Sequence, residues 1–287
     1  MEIKAIAFDL DGTILDARNQ IQPELIKLIS DLKQREIKIF LATGRTRKEV
    51  EDILPYNFPF DGAVTSNGMV CYTKDKNIVQ RKISSRLVKK IINLARQNNI
   101  FYVAHSLEGK HIALSEDSNY MKEEIKRPMP KSLGKNEIYS LQNFIESKIT
   151  WVRSFNYDDI VKLYFFSMSE NKIKRWKVLL NQLKETNNFS TSSSSLHNVE
   201  VMEEDISKAT GLNSLLTKFN LNPNQLMAIG DGGNDIPMFE LSSLAVAMAN
   251  APQDVKDKAD VITKYDYENS GVYSFLKSKQ TQKILNE

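Results

Sequence analysis

Two aspartates, Asp9 and Asp11, stand one residue apart at the end of an apolar run, Ile6-Ala7-Phe8-Asp9-Leu10-Asp11-Gly12-Thr13. Ile6 to Phe8 read as a buried strand, and Gly12 permits a sharp exit from it. Carboxylates held this close repel each other unless something neutralises them, and a hard divalent cation with oxygen ligands is the usual answer. One of the pair can then serve as a nucleophile and the other as an acid or base toward a leaving oxygen.

Three further stretches offer complementary chemistry. Ala42-Thr43-Gly44-Arg45-Thr46 places a hydroxyl, a glycine and a helix start in succession, which makes an anion site. Lys208, in Ile206-Ser207-Lys208-Ala209, opens a helix and can clamp phosphate oxygens. Alone it would read as a surface lysine. In Ile229-Gly230-Asp231-Gly232-Gly233-Asn234-Asp235, two aspartates bracket two glycines and an asparagine, a set able to complete a magnesium site.

Each stretch follows a predicted strand or opens a predicted helix. Pro23 starts a helix whose apolar positions are Leu25, Leu28, Ile29 and Leu32. Ile37 to Leu41 reads as the second strand, Thr46 and Glu49 have capping-box spacing, and Gly62 to Thr65 reads as the third strand. Near-continuous apolar strands alternating with helices imply a parallel sheet covered on both faces, with ligands at the carboxyl ends of its strands. The alternation breaks near residue 82 into an aromatic-rich region with helices at Leu87–Ala95 and Glu170–Lys184 and strands such as Ile160–Met168. It resumes after Ser190-Thr191-Ser192-Ser193-Ser194-Ser195, expected to be a hinge or edge segment where the chain re-enters the first domain. The expected domains are a doubly wound α/β core (1–82 and 188–287) and an inserted α/β domain (83–187).

At 287 residues and 41% apolar composition the chain can bury a sizeable core. A single cysteine, Cys71, excludes an internal disulfide and any cysteine-based zinc site, and suits a reducing cytoplasm; it reads as a small buried hydrophobe. No stretch approaches the roughly 20 apolar residues of a membrane helix. Residues 82–187 carry nineteen Lys or Arg against eleven Asp or Glu, while the remainder is acidic, so the middle region can help attract an anionic substrate. Basic residues on the Glu170–Lys184 helix read as its solvated face, not as a nucleic-acid surface. The three histidines, His105, His111 and His197, are expected at the surface or in packing.

In order, DLDGT at Asp9–Thr13, TGR at Thr43–Arg45, SK at Ser207–Lys208 and GDGGND at Gly230–Asp235 resemble the four motifs of the haloacid dehalogenase superfamily. The long insertion resembles the large cap of its Cof-type phosphatases, and Ala247-Met248-Ala249-Asn250-Ala251 resembles another segment of that subfamily. Ala209, Ala249 and Ser270 depart from its usual residues. The resemblance implies a Rossmann-like core with a cap domain and magnesium-dependent hydrolysis of small phosphomonoesters, such as sugar phosphates or phosphorylated cofactors. Asp9 would be the nucleophile that becomes an aspartyl-phosphate, and Asp11 the general acid and base. Asp9, the backbone carbonyl of Asp11, Asp231 and Asp235 would form the metal site. Leu10, Thr43, Gly44, Lys208 and Asn234 would bind the phosphoryl group, with Arg45, Asn67 and Asn250 on the substrate side. The expected partner is a small phosphorylated metabolite, with no nucleic acid and no membrane. A phosphomutase using the same intermediate and a non-catalytic phosphate-sensing module are the alternatives.

Overall fold

The computed structural model describes residues 2–130, 132–133, 144–154 and 156–285. The chain divides into two units, Met1–Gln80 with Ile206–Glu287, and Arg81–Asp205. In chain order the first stretch holds β1 (Ala5–Phe8), α1 (Pro23–Gln34), β2 (Lys38–Ala42), α2 (Arg47–Ile53), β3 (Gly62–Thr65), β4 (Val70–Thr73) and β5 (Asn77–Gln80). The second unit holds α3 (Ser85–Gln97), β6 (Phe101–Ser106), β7 (His111–Leu114), α4 (Ser118–Ile125), β8 (Ile149–Val152), β9 (Ile160–Phe166), α5 (Glu170–Lys184), β10 (Ser190–Ser192) and β11 (Asn198–Met202). The return to the first unit comprises α6 (Lys208–Lys218), β12 (Leu226–Gly230), α7 (Ile236–Leu241), β13 (Leu244–Ala247), α8 (Gln253–Lys256), β14 (Val261–Ile262), α9 (Gly271–Lys277) and α10 (Lys279–Ile284).

The first unit is built on one sheet of order β14-β13-β12-β1-β2-β3-β4-β5. Strands β14 through β3 run parallel, and β4 and β5 add an antiparallel hairpin at one edge. The alternation of apolar runs anticipated the parallel part but not the hairpin. Cys71 lies in that hairpin, fully buried, and acts as a small hydrophobe in the core. On one face Ala5, Ala7, Phe40, Ala42, Val64 and Ala228 meet Leu212, Leu215 and Leu216 of α6 and Met238 and Phe239 of α7. Helix α1 starts at Pro23 and buries Leu25, Leu28, Ile29 and Leu32, as its spacing requires. Thr46 and Glu49 form the expected capping box of α2. Strand β1 pairs with β2 on one side and β12 on the other, so the chain order reverses there. Such a switch point places the ends of β1, β2 and β12 side by side at a crevice.

The second unit has its own sheet, of order β10-β11-β9-β6-β7-β8. It includes the serine-rich tract, so the chain leaves this unit at Asp205 and not near residue 187. Ser190–Ser192 pairs with β11 as an edge strand and is no hinge into the first unit. Polar serines suit an edge, where one side of the backbone meets no neighbour. One face of the sheet is apolar: Leu163, Phe165, Val199 and Val201 share it, and the Phe165 and Trp176 rings lie 5.0 Å apart. The other face carries His105 opposite Lys162 and Glu200 opposite Tyr164. All three histidines are buried, which meets the packing alternative of the expectation and not the surface one. His105 and His111 share a 3.0 Å Nδ1···Nδ1 contact, and His197 Nδ1 lies 2.9 Å from the Ser167 carbonyl. Burial, then the charges of Lys162 and His111, pushes His105 well below the usual histidine range. No described helix is long and apolar enough to cross a membrane.

Lys162 Nζ and Glu200 Oε1 form a buried ion pair at 2.6 Å. Removing one partner strands the other charge away from water, at a cost of about 3–5 kcal/mol, while replacing both by apolar groups costs much less. Lys162→Met is therefore expected to lower the urea midpoint strongly and Lys162→Met with Glu200→Leu to recover most of the loss. Trp151 and Trp176 both lie in this unit, so tryptophan emission reports its unfolding.

Candidate active site

The expected site residues of the core come from distant parts of the sequence and converge at the carboxyl ends of β1, β2 and β12. Asp9 follows β1, Thr43 follows β2, Asp231 follows β12, and Lys208 is the first residue of α6. All belong to the first unit. Ser207 caps α6, its side chain accepting from Thr210 N and its backbone N–H donating to Thr210 Oγ1. That cap fixes the direction in which Lys208 leaves the helix.

Lys208 has no exposed surface. Its ammonium donates to Asp9 Oδ1 and, at 2.6 Å, to Asp235 Oδ1. Asp235 is equally buried, and its second oxygen accepts the backbone N–H groups of Asp231 (2.9 Å) and Gly232 (2.8 Å). Thus Asp235 braces the loop that carries Asp231 and holds the lysine at the same time. Asp231 Oδ1 accepts from Thr13 Oγ1 at 3.2 Å, and its Oδ2 accepts from Asn250 Nδ2 at 3.0 Å. Gly12, at φ +75°, packs so closely that a Cβ there would collide with the Asp231 carboxylate.

Three carboxylates, Asp9, Asp231 and Asp235, bring ligand oxygens within 4.8 Å of one another. Lys208 supplies one positive charge to this group, so negative charge is in surplus. Burial raises the Asp9 carboxyl to about 7; Lys208 opposes the rise, and the charges of Asp235 and Asp11 add to it. Burial also raises Asp231 well above the usual carboxylate range, with Asp9 and Asp235 adding to the shift. Burial works against the Lys208 ammonium, but Asp235 and Asp9 outweigh it and hold the group charged. Clustered hard oxygens with uncompensated charge fit a divalent cation.

Asp11 lies beside this cluster with its side chain 55% exposed. Arg45 holds it with two bonds, Nε to Oδ2 at 2.8 Å and Nη2 to Oδ1 at 2.6 Å. Burial disfavours the Arg45 charge, and Asp11 more than restores it. Thr43 is buried, and its hydroxyl accepts from Arg45 N at 3.1 Å. Leu10 is buried and its carbonyl accepts N–H groups from Thr13, Ile14 and Leu15. Gly44 is half-buried between Thr43 and Arg45. Asn67, buried at φ +55°, accepts from Asn234 Nδ2 at 3.2 Å. Asn250 also donates to the Gly12 carbonyl at 3.0 Å, so this residue ties down the loop between β1 and Thr13. Sequence reasoning missed Thr13 and Asn19, the latter accepting from Arg45 Nη2 at 2.7 Å. Thr13 lay inside the first quoted motif. Asn19 sits in a polar loop that carried no signal.

The arrangement offers a buried carboxylate beside an ammonium, a second carboxylate held by a guanidinium, and an acidic pocket for a cation. These are the elements of nucleophilic attack on a phosphate with acid assistance to the leaving oxygen.

Residues 6–276 match the family model of haloacid dehalogenase-like hydrolases. The 5-amino-6-(5-phospho-D-ribitylamino)uracil phosphatase YwtE of Bacillus subtilis is 26% identical over 286 residues, covering 94% of this chain and 96% of that protein. Phosphatase YwpJ of the same bacterium is 23% identical, covering 96% of this chain and 99% of its own. A haloacid dehalogenase-like hydrolase structure from B. subtilis superposes with a TM-score of 0.81 at 22% identity, covering 96% of this chain and all of that one. The chain belongs to the haloacid dehalogenase-like hydrolases, as a phosphatase of their Cof type.

Proposed function

We propose that this phosphatase hydrolyses small phosphomonoesters, sugar phosphates or phosphorylated cofactors, through an aspartyl-phosphate on Asp9, with magnesium as its cofactor. The observation that carries the reading is the buried meeting of Asp9, Lys208, Asp231 and Asp235 at the strand ends. Asp9 attacks phosphorus, and the bond to the leaving oxygen breaks. Asp11 gives its proton to that oxygen, then takes one from the water that attacks the phosphoryl-enzyme and releases free phosphate. Lys208, with the hydroxyl of Thr43, the backbone of Leu10 and Gly44 and the amide of Asn234, steadies the charge on the phosphoryl oxygens. Arg45, Asn67 and Asn250 flank the substrate side of this ring.

Asp9, Asp231 and the Asp11 carbonyl would hold the magnesium ion, with Asp235 supporting the site. Bound there, the ion would reduce the repulsion between the Asp9 carboxylate and an anionic phosphate. Carboxylate oxygens completed by substrate phosphate are the ligand set magnesium favours. Two B. subtilis relatives, YwtE and YcsE, are named for a phosphorylated ribityl compound, which supports a polyhydroxylated leaving group.

A phosphometabolite panel tests the reading through released phosphate. Asp9→Asn is expected to lower turnover by about a thousandfold or more while the far-UV spectrum stays unchanged. Equal rates in wild type and Asp9→Asn would refute the nucleophile. Chelation by EDTA is expected to abolish activity and added magnesium to restore it; full activity in EDTA would refute the metal. Asp11→Asn is expected to slow an alkyl phosphate by about a hundredfold or more and p-nitrophenyl phosphate, with its good leaving group, far less. Isomerised substrate without free phosphate would instead mark a phosphomutase.

A further inference from the structure

Asp11 differs from the other site carboxylates in exposure, its side chain being 55% exposed beside the buried cluster. A half-exposed aspartate has free rotation about two side-chain bonds, which is poor placement for a group that must meet one oxygen. The fork of two bonds from Arg45 removes that freedom, since a guanidinium matches a carboxylate in one plane. Arg45 is itself held. Its Nη2 donates to Asn19 Oδ1 at 2.7 Å, its backbone N–H donates to Thr43 Oγ1, and its carbonyl accepts from Ser66 N at 2.8 Å.

Asn19 is also placed by the fold. It has φ +58°, a region Asn tolerates better than most residues. Asp16 closes its loop, with Oδ1 accepting from Arg18 N at 2.8 Å and Gln20 N at 2.9 Å and the Asp16 carbonyl accepting from Asn19 N. The Ala17 N–H donates to Glu268 Oε1 at 3.0 Å, which pins the loop to the C-terminal part of the same unit. A five-residue loop thus presents one amide oxygen to Nη2, the same nitrogen that grips Asp11 Oδ1.

We infer that Asn19 and Arg45 are positioning residues for Asp11, acting as a chain Asn19–Arg45–Asp11 that fixes the orientation of the acid and base carboxyl. The inference rests on the mechanism proposed above. It gives Arg45 a role through Asp11 in place of a role on the substrate, and it gives a task to Asn19, a residue outside every motif.

The test compares wild type with Arg45→Met, Arg45→Lys, Asn19→Ala, Asp11→Asn and the double variant Asp11→Asn with Arg45→Met. Ribose 5-phosphate serves as the poor leaving group and p-nitrophenyl phosphate as the good one, both with magnesium. Arg45→Met is expected to lower kcat on ribose 5-phosphate about tenfold or more, with a smaller change in KM and little loss on p-nitrophenyl phosphate. Asn19→Ala is expected to act in the same direction less strongly, and Arg45→Lys to recover part of the loss. In the Asp11→Asn background, Arg45→Met is expected to change the rate by no more than about twofold, because its partner is already gone. Losses that multiply, or a KM rise on both probes, would place Arg45 on the substrate and overturn the inference while the proposed function stands. Unchanged rates in both Arg45→Met and Asn19→Ala would overturn it as well. If Asp11→Asn itself left the ratio of the two probes unchanged, the acid role of Asp11 would fall and this inference with it. Asn19 is exposed, so its variant keeps the test decisive even if Arg45→Met fails to fold.

Discussion

The site depends on one ammonium buried among carboxylates. Lys208 has no solvent contact, and neither has Asp235. A lone charge in that position would be expelled or neutralised, because water can no longer solvate it. Asp235 and Asp9 hold the Lys208 ammonium charged by contact. The balance is deliberately incomplete in charge: Asp231 joins the same group, and one ammonium does not offset three carboxylates. Burial pushes Asp9 and Asp231 upward, and the charges of the neighbouring carboxylates add to the rise. A site built this way attracts cations strongly, and an anionic phosphate can approach its nucleophile only where positive charge has been gathered first.

Backbone and side-chain contacts around the cluster convert this electrostatic tension into fixed geometry. Asp235 turns its second oxygen to two N–H groups of its own loop. Thr13 and Asn250 hold both oxygens of Asp231, and Asn250 reaches the Gly12 carbonyl as well. Gly68, at φ +112°, lets the chain after β3 pass against the Ser207 carbonyl at the head of α6, a place where a side chain would collide. The chemistry therefore sits on strand ends and helix caps, whose positions the packed sheet determines, and little of it is left to mobile side chains.

Much of this was legible in the sequence because it is local. The apolar spacing of Leu25, Leu28, Ile29 and Leu32 reports a helix face whatever surrounds it, and Thr46 with Glu49 reports a cap. The four motifs announced the carboxylates and the lysine through residue type and position after strands. What stayed hidden was non-local. The β4–β5 hairpin depends on which strand edge is available, β11 depends on pairing with β9 across an intervening helix, and β10 depends on β11. The boundary at Asp205 followed from that pairing, and composition alone did not reveal it. The grip of Arg45 on Asp11 and the part of Asn19 join residues 34 and 26 positions apart, and no periodicity reports such contacts.

The central strand of the first sheet has neighbours from both ends of the chain. Strand β1 pairs with β2, which follows soon after it, and with β12, which comes only after the second unit has been made. A chain emerging from the ribosome holds β1 with one edge bare throughout the synthesis of residues 81–205. Asp9 and Lys208, separated by 199 positions, meet only when that edge is covered. Long-range closure of this kind is slow and leaves pairing surface exposed in the meantime. Assembly of the buried ion cluster is thus a late folding event, and the intervening unit, whose sheet draws every strand from its own stretch of sequence, is free to mature ahead of it.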